Sequence, residues 1–136
     1  MTLVRLLILT LALCLIGCRK SPDTYSAACS IPLSHWKTEK DGVGHLLPVV
    51  PVYVGTDGTV LMNKEAIPDS QLSTYMDQAI RMNPVPLYIL EVSPSAACAR
   101  VRKVRAIMDA SPMCKGPYSH CSEGWNWRQW PVTGGP

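Results

Sequence analysis

The feature that most limits what this chain can fold into is its beginning. Residues 6–16 are an apolar run without a single charge, placed behind one positive residue, Arg5. A helix that crosses a bilayer needs about 20 such residues, so this run is too short to span one comfortably. A short apolar run behind a positive start is the pattern of a secretory signal. The fold must therefore come from the rest of the 136 residues, which is enough for one small domain. A domain of that size buries a modest core and gains from extra fastening.

The run closes on Leu15-Ile16-Gly17-Cys18, which resembles the bacterial lipobox. That resemblance implies diacylglycerol on the sulfur of Cys18, cleavage before it, and a mature chain held to the membrane by acyl chains such as palmitate. The residues suit the chemistry. Gly17 is small enough for a peptidase to reach the bond, and Cys18 offers a thiol at the membrane surface. Cys14 follows bulky Leu13 and is the poorer acceptor. One acyl chain binds reversibly, whereas several hold firmly. Arg19, where an acid would stand in an inner-membrane sorting signal, resembles an outer-membrane destination. The expected boundaries are a signal at 1–17, an anchored tether and irregular segment at 18–48, an α/β domain at 49–123, and a Trp-rich tail at 124–136.

Cys29, Cys98, Cys114 and Cys121 remain after the signal and the lipidated position are set aside. An even set in a small exported domain argues for disulfides. Three connectivities are open. Cys114 with Cys121 closes a short loop through Lys115-Gly116-Pro117, and Cys29 with Cys98 then ties the N-terminal segment to a helix. The competing reading is zinc on Cys114, His120 and Cys121, with His35 and His45 also present. There is no C-x-x-C pair, and adjacent His-Cys is poor spacing for a tetrahedral site. No metal and no cofactor are expected.

Charge excludes one class of partner. The net charge of +3 falls to +2 when the signal takes Arg5 away, too weak a field for nucleic acid. Along the chain, residues 49–54 are β-rich, with Pro51 pointing to an edge or bulge. Thr56-Asp57-Gly58 is a turn, and residues 59–62 complete a hairpin. Asn63 closes it. Asp69 and Ser70 cap a helix with Leu72, Met76, Ala79 and Ile80 on one face and Asn83-Pro84 as its stop. Residues 87–92 are apolar on both faces, as a central strand covered on at least one side should be. Ser93 and Pro94 open a second helix, with Ala97, Val101, Val104 and Met108 inward, ended by Ser111-Pro112. Trp125 and Trp127 alternate as in a last strand. Trp36 and the Leu46-Leu47 pair are placed to pack on the domain. The fold class is α+β: a small mixed sheet with two helices packed on it.

The segment V-V-P-V-Y-V-G-T-D-G-T-V-L-M-N, followed by Ile67 and Leu72, resembles the periplasmic domain of the ExbD/TolR biopolymer-transport family. Val52 and Val54, Asp57-Gly58, Val60 and Leu61, Asn63 and Leu72 stand in the family's order, and the strand at 87–92 and the helix through Val104, Ile107 and Met108 continue the match. It covers roughly residues 49–110. The resemblance implies a non-catalytic domain that binds partners, dimerises, and contacts TonB- or TolA-like proteins or peptidoglycan. Three departures stand out. The family's proton-carrying acid lies in a transmembrane helix, and the apolar run here has none. Ser93-Pro94 replaces the acid often found after the central strand, and a Cys- and Trp-rich ending replaces the usual last strand.

For sites, Arg100, Arg102, Lys103 and Arg105 form a basic stripe that either meets anionic lipid or wall polymers or is simply a solvated helix face. Trp125, Trp127 and Trp130 either stack on sugar rings or a partner, or cover the sheet. Ser119-His120 is no triad, no nucleophile–base–orienter set can be named, and Glu91 and Glu123 are expected at the surface. The chain is accordingly expected not to be an enzyme. The leading reading is an envelope binding or scaffolding lipoprotein. The alternatives are a structural lipoprotein that docks through its Trp tail, and a metal- or redox-binding protein.

Overall fold

The computed structural model describes Cys29 and residues 33–133; the signal, the expected lipidation site Cys18 and most of the tether lie outside them. The domain is α+β, with a five-stranded mixed sheet, two helices and two disulfides. Its strands are β1 (Val43–Gly44), β2 (Val49–Val54), β3 (Val60–Met62), β4 (Glu65–Ala66), β5 (Leu87–Val92), β6 (Cys121–Glu123) and β7 (Val132–Thr133). Helix α1 is Asp69–Ala79 and α2 is Cys98–Ala110. The main sheet runs β4-β3-β2-β5-β6, with β2, β5 and β6 parallel and β3 and β4 antiparallel additions; β1 and β7 form a separate parallel pair.

The hairpin of β2 and β3 forms where the turn residues put it. Asp57 accepts the Thr59 amide at 2.9 Å, and Gly58 takes φ +81°, open to glycine at no steric cost. Pro51 does not mark a sheet edge, because β2 lies between β3 and β5. It is tolerated because β3 pairs only with Val52–Val54, so nothing beyond β3 asks Pro51 for an amide proton. Asn63 and Lys64 both have positive φ, 52° and 73°. That is the two-residue turn of a second hairpin, so Asn63 leads into β4 and does not close the first one.

Both helix starts differ from expectation. Asp69 makes no cap bond at α1, and Pro68 occupies the cap position; the carboxylate is drawn to Arg100 and Lys103 instead. The helix gives way after Ala79 to a tighter turn, in which Arg81 and Met82 donate to the Gln78 and Ala79 carbonyls, and Ile80 is left exposed. Helix α2 begins at Cys98, not at Ser93. Ser93 bonds the Thr56 hydroxyl at 2.9 Å and its carbonyl accepts the Ala96 amide, making a separate turn that buries Ala96 and leaves Ala97 exposed.

Strand periodicity explains the layers. Val50, Val52 and Val54 pair in register with Tyr88, Leu90 and Val92. These residues pack with Leu72, Met76, Val101, Val104 and Met108 of the helices in the main core. The opposite face of β5 presents Leu87 and Ile89, covered by Val43, Val49, Trp127 and Trp130. The central strand is thus covered on both sides. Trp36 is buried in the main core, and Lys37 bridges to Ser122 at the β6 edge. Leu46 is 84% exposed. The packed chain extends on both sides of 49–123.

The cysteines pair as Cys29–Cys98 and Cys114–Cys121. The two thiols of the zinc reading, Cys114 and Cys121, are thereby bridged to each other. Among the described residues, no group of three or more His, Cys, Asp or Glu is placed to hold a metal ion. No described helix is long and apolar enough to cross a membrane.

Candidate functional site

The four basic residues of α2 do not share a face. Arg100 forks onto Asp69 at 2.8 and 2.6 Å and donates to the Gly58 carbonyl at 2.8 Å, while Lys103 meets the same Asp69 at 3.0 Å. The Arg100 guanidinium, helped by Lys103, holds the Asp69 carboxyl down at about 2. These contacts tie α2 to α1 and to the β2–β3 turn. Arg102 is exposed. Arg105 is not at the surface, where the basic stripe would place it. It is buried, and its guanidinium donates to both carboxylate oxygens of Glu123, at 2.7 and 2.6 Å, and to the Cys29 carbonyl at 3.2 Å.

Glu123 is 2% exposed, which corrects its expected surface role. Burial pushes its carboxyl up, but a guanidinium can only donate, and the forked contact holds the carboxylate form. Position could have signalled the inward turn of Arg105, which follows Val101 by four residues and precedes Met108 by three, though not its partner Glu123. Glu91, half-buried, sits beside Arg128; burial raises its carboxyl, against the pull of Arg128.

The tail is folded onto the domain. β6 ends at Glu123, and the chain leaves strand geometry at once, because Asn126 is left-handed (φ 50°). This is why Trp125 and Trp127 do not form a strand; Trp127 opens a 3₁₀ turn, Trp127–Gln129. Trp130 is 4% exposed, lies against Gly124, and donates its indole N–H to the Trp125 carbonyl at 2.9 Å. A Cβ on Gly124 would stand 2.3 Å from Trp130 Cζ2, so glycine is required by the close approach. Trp127 is half-buried, with the Arg128 guanidinium 4.7 Å over its ring. Trp125 alone of the three stays largely outside, 47% exposed, on a backbone fixed by Trp130.

Two further features complete the surface. Asp109 gathers His35 at 2.6 Å, the Trp36 indole N–H at 3.1 Å and Lys115 at 2.7 Å. Burial opposes ionisation of Asp109, but these donors outweigh it and hold its carboxyl below the usual range. The hub pins the N-terminal segment to the end of α2. On the opposite flank, a shallow apolar groove of about 230 Å³ is lined by Val50, Met62, Tyr75, Met82 and Tyr88 among others. His45 lies at the surface beside β1. Ser119 bonds the backbone of Cys114 and Cys121, while His120 lies half-buried next to it with its ring Nδ1 unpartnered. The hydrogen bonds between described residues bring no hydroxyl to a histidine. Compared with known proteins, the chain matches no family model and no curated protein.

Proposed function

We propose that this chain is an exported lipoprotein of the bacterial envelope, facing the periplasm from the outer membrane, whose small domain binds or scaffolds other envelope components without covalent chemistry. The observation that carries the reading is the apolar run ending in Leu15-Ile16-Gly17-Cys18 ahead of a domain closed by two bridges, since disulfides belong to oxidising compartments. In kind and order, the β2–β3 hairpin, helix α1, strand β5 and helix α2 are also compatible with an ExbD/TolR-like domain. The partner on this reading is an envelope protein or peptidoglycan, and a second copy of the chain is a further candidate. The apolar run holds no acid to carry protons itself, so a tie to an ExbD/TolR-like machine would run through a partner.

Mass spectrometry of the mature protein tests the anchor: Cys18 should be its first residue and carry fatty acids. Crosslinking and pull-down of the native lipoprotein test the partner. An unprocessed leader, or recovery of neither an envelope protein nor peptidoglycan, would overturn the reading.

A further inference from the structure

Cys29, to which the tether joins, is fixed to one face of α2. On α2, Cys98, Arg102, Arg105 and Asp109 follow one another at helical spacing, so they share a face. That face is turned to the N-terminal segment: Cys98 is bridged to Cys29, Arg105 donates to the Cys29 carbonyl, and Asp109 holds His35 and Trp36. Arg102 therefore stands between two contacts to Cys29, and it is exposed. Among the described residues it forms no ion pair.

The other partner of Arg105 is Glu123, two residues before Trp125. Strand β6 runs parallel to β5, so the turn after it, with the exposed Trp125, leaves the sheet at the same end as the start of α2, which carries Cys98 and Arg102. Arg128, on the ring of Trp127, adds a second exposed cation to the turn. The acids nearby are engaged: Glu123 by Arg105, Asp69 by Arg100 and Lys103, and Glu91 beside Arg128. Asp57, in the turn after β2, keeps its carboxylate on Thr59.

Only residues 19–28 separate Cys18 from Cys29. Fully extended, that length of chain reaches at most about 40 Å. A domain of roughly 100 residues has a radius of gyration of about 13 Å, so the tether cannot lift it from the bilayer by much more than its own width. A tryptophan suits the boundary between water and acyl chains, with an apolar body and a polar N–H. Arginines beside it suit anionic headgroups, each adding attraction that salt weakens.

We infer that the end of the domain bearing Trp125, Arg102 and Arg128 lies on the membrane surface, with the Trp125 indole in the interface and the two guanidinium groups against anionic phospholipid headgroups. This rests on Cys18 being acylated. The turn suits that role because Gly124, the left-handed Asn126 and the Trp130 bond to the Trp125 carbonyl hold the indole outward before any membrane is met.

The test uses the full mature lipoprotein in phosphatidylcholine vesicles, with and without phosphatidylglycerol, carrying shallow brominated acyl chains that quench tryptophan. Mass spectrometry of the same sample reports on Cys18, and circular dichroism on the fold. We expect quenching that deepens with phosphatidylglycerol. Most of it should be lost in Trp125→Phe, and the phosphatidylglycerol increment should shrink in Arg102→Gln and Arg128→Gln. Equal quenching in Trp125→Phe and wild type would overturn the inference. So would acylated protein without quenching, even if Trp125→Phe lost co-sedimentation with peptidoglycan, an outcome that would assign the indole to the glycan and leave the anchor standing. Unacylated Cys18 would overturn both anchor and surface.

Discussion

Arg105 and Glu123 meet in a dry place, with side-chain exposures of 6% and 0%. Taking two charges out of water costs several kcal/mol for each ion, and the forked contact offsets this only while both partners are present. Glu123→Gln should therefore lower unfolding stability by about 3–5 kcal/mol, whereas Arg105→Met with Glu123→Met should recover most of it. Urea midpoints of the single and double variants decide the point; equal losses would show that the pair's geometry is irrelevant. Asp69 makes a prediction in pH. Its carboxyl is lowered from 3.8 to about 2 in the folded state. A lowered acid adds stability above its unfolded value, and the addition is lost as pH falls from near 4 toward 2. With its side chain 25% exposed, that contribution is of order 1–2 kcal/mol. Stability curves of wild type and Asp69→Asn should converge on acidification through that window; a constant gap would refute the assignment.

At the scale of elements, the turn after β6 is decided by one missing side chain. Gly124→Ala would put a methyl carbon inside the Trp130 ring, 2.3 Å from Cζ2. Either the indole or the chain must move, at a cost of about 1–3 kcal/mol. The expected signature is a red shift of tryptophan emission as Trp130 meets water, and an unshifted spectrum would show that the turn absorbs the methyl. Elements also show how far patterns can be read. Residues 87–92 are apolar at almost every position, and they form the strand covered on both faces. The stripe of Leu72, Met76 and Ala79 buries as its spacing dictates. The caps were less legible, because Asp69 and Ser93 have stronger partners elsewhere in the fold, Arg100 and Thr56.

For the whole molecule, the two bridges are unequal fasteners. Cys29–Cys98 spans 69 residues and Cys114–Cys121 spans 7. Loop-closure entropy puts their contributions at about 4 and about 2 kcal/mol. Cys29→Ser should accordingly lower stability by more than the Cys114→Ser, Cys121→Ser double variant, as read from thermal or urea unfolding. The tail belongs to the same ledger of core contacts. Deleting residues 124–136 would remove Trp130 from Leu87 and Ile89 and β7 from β1. We expect that protein to lose cooperative unfolding; an intact fold would mean the tail is an appendage.

Periodicity and turn chemistry by themselves determined the order hairpin, helix, strand, helix, because apolar spacing at 2 and 3.6 and the Asp57-Gly58 turn act over a few residues. The even set of four cysteines argued for two bridges, with three connectivities open, and the fold pairs them as Cys29–Cys98 and Cys114–Cys121. Helical spacing puts Arg105 on the inward stripe, but only the tertiary structure decided what it meets there. Whether Arg105 meets water or a carboxylate depends on β6 lying beside β5 with Glu123 at its end, and on the N-terminal segment closing over them. The same holds for the three tryptophans. The alternation of Trp125 and Trp127 favoured a strand, and the left-handed Asn126, with Trp130 folded against Gly124, turned one indole inward and left another facing solvent. A local pattern can turn a charge or a large ring inward, but the neighbours that make its burial stable are distant in sequence and no local pattern names them.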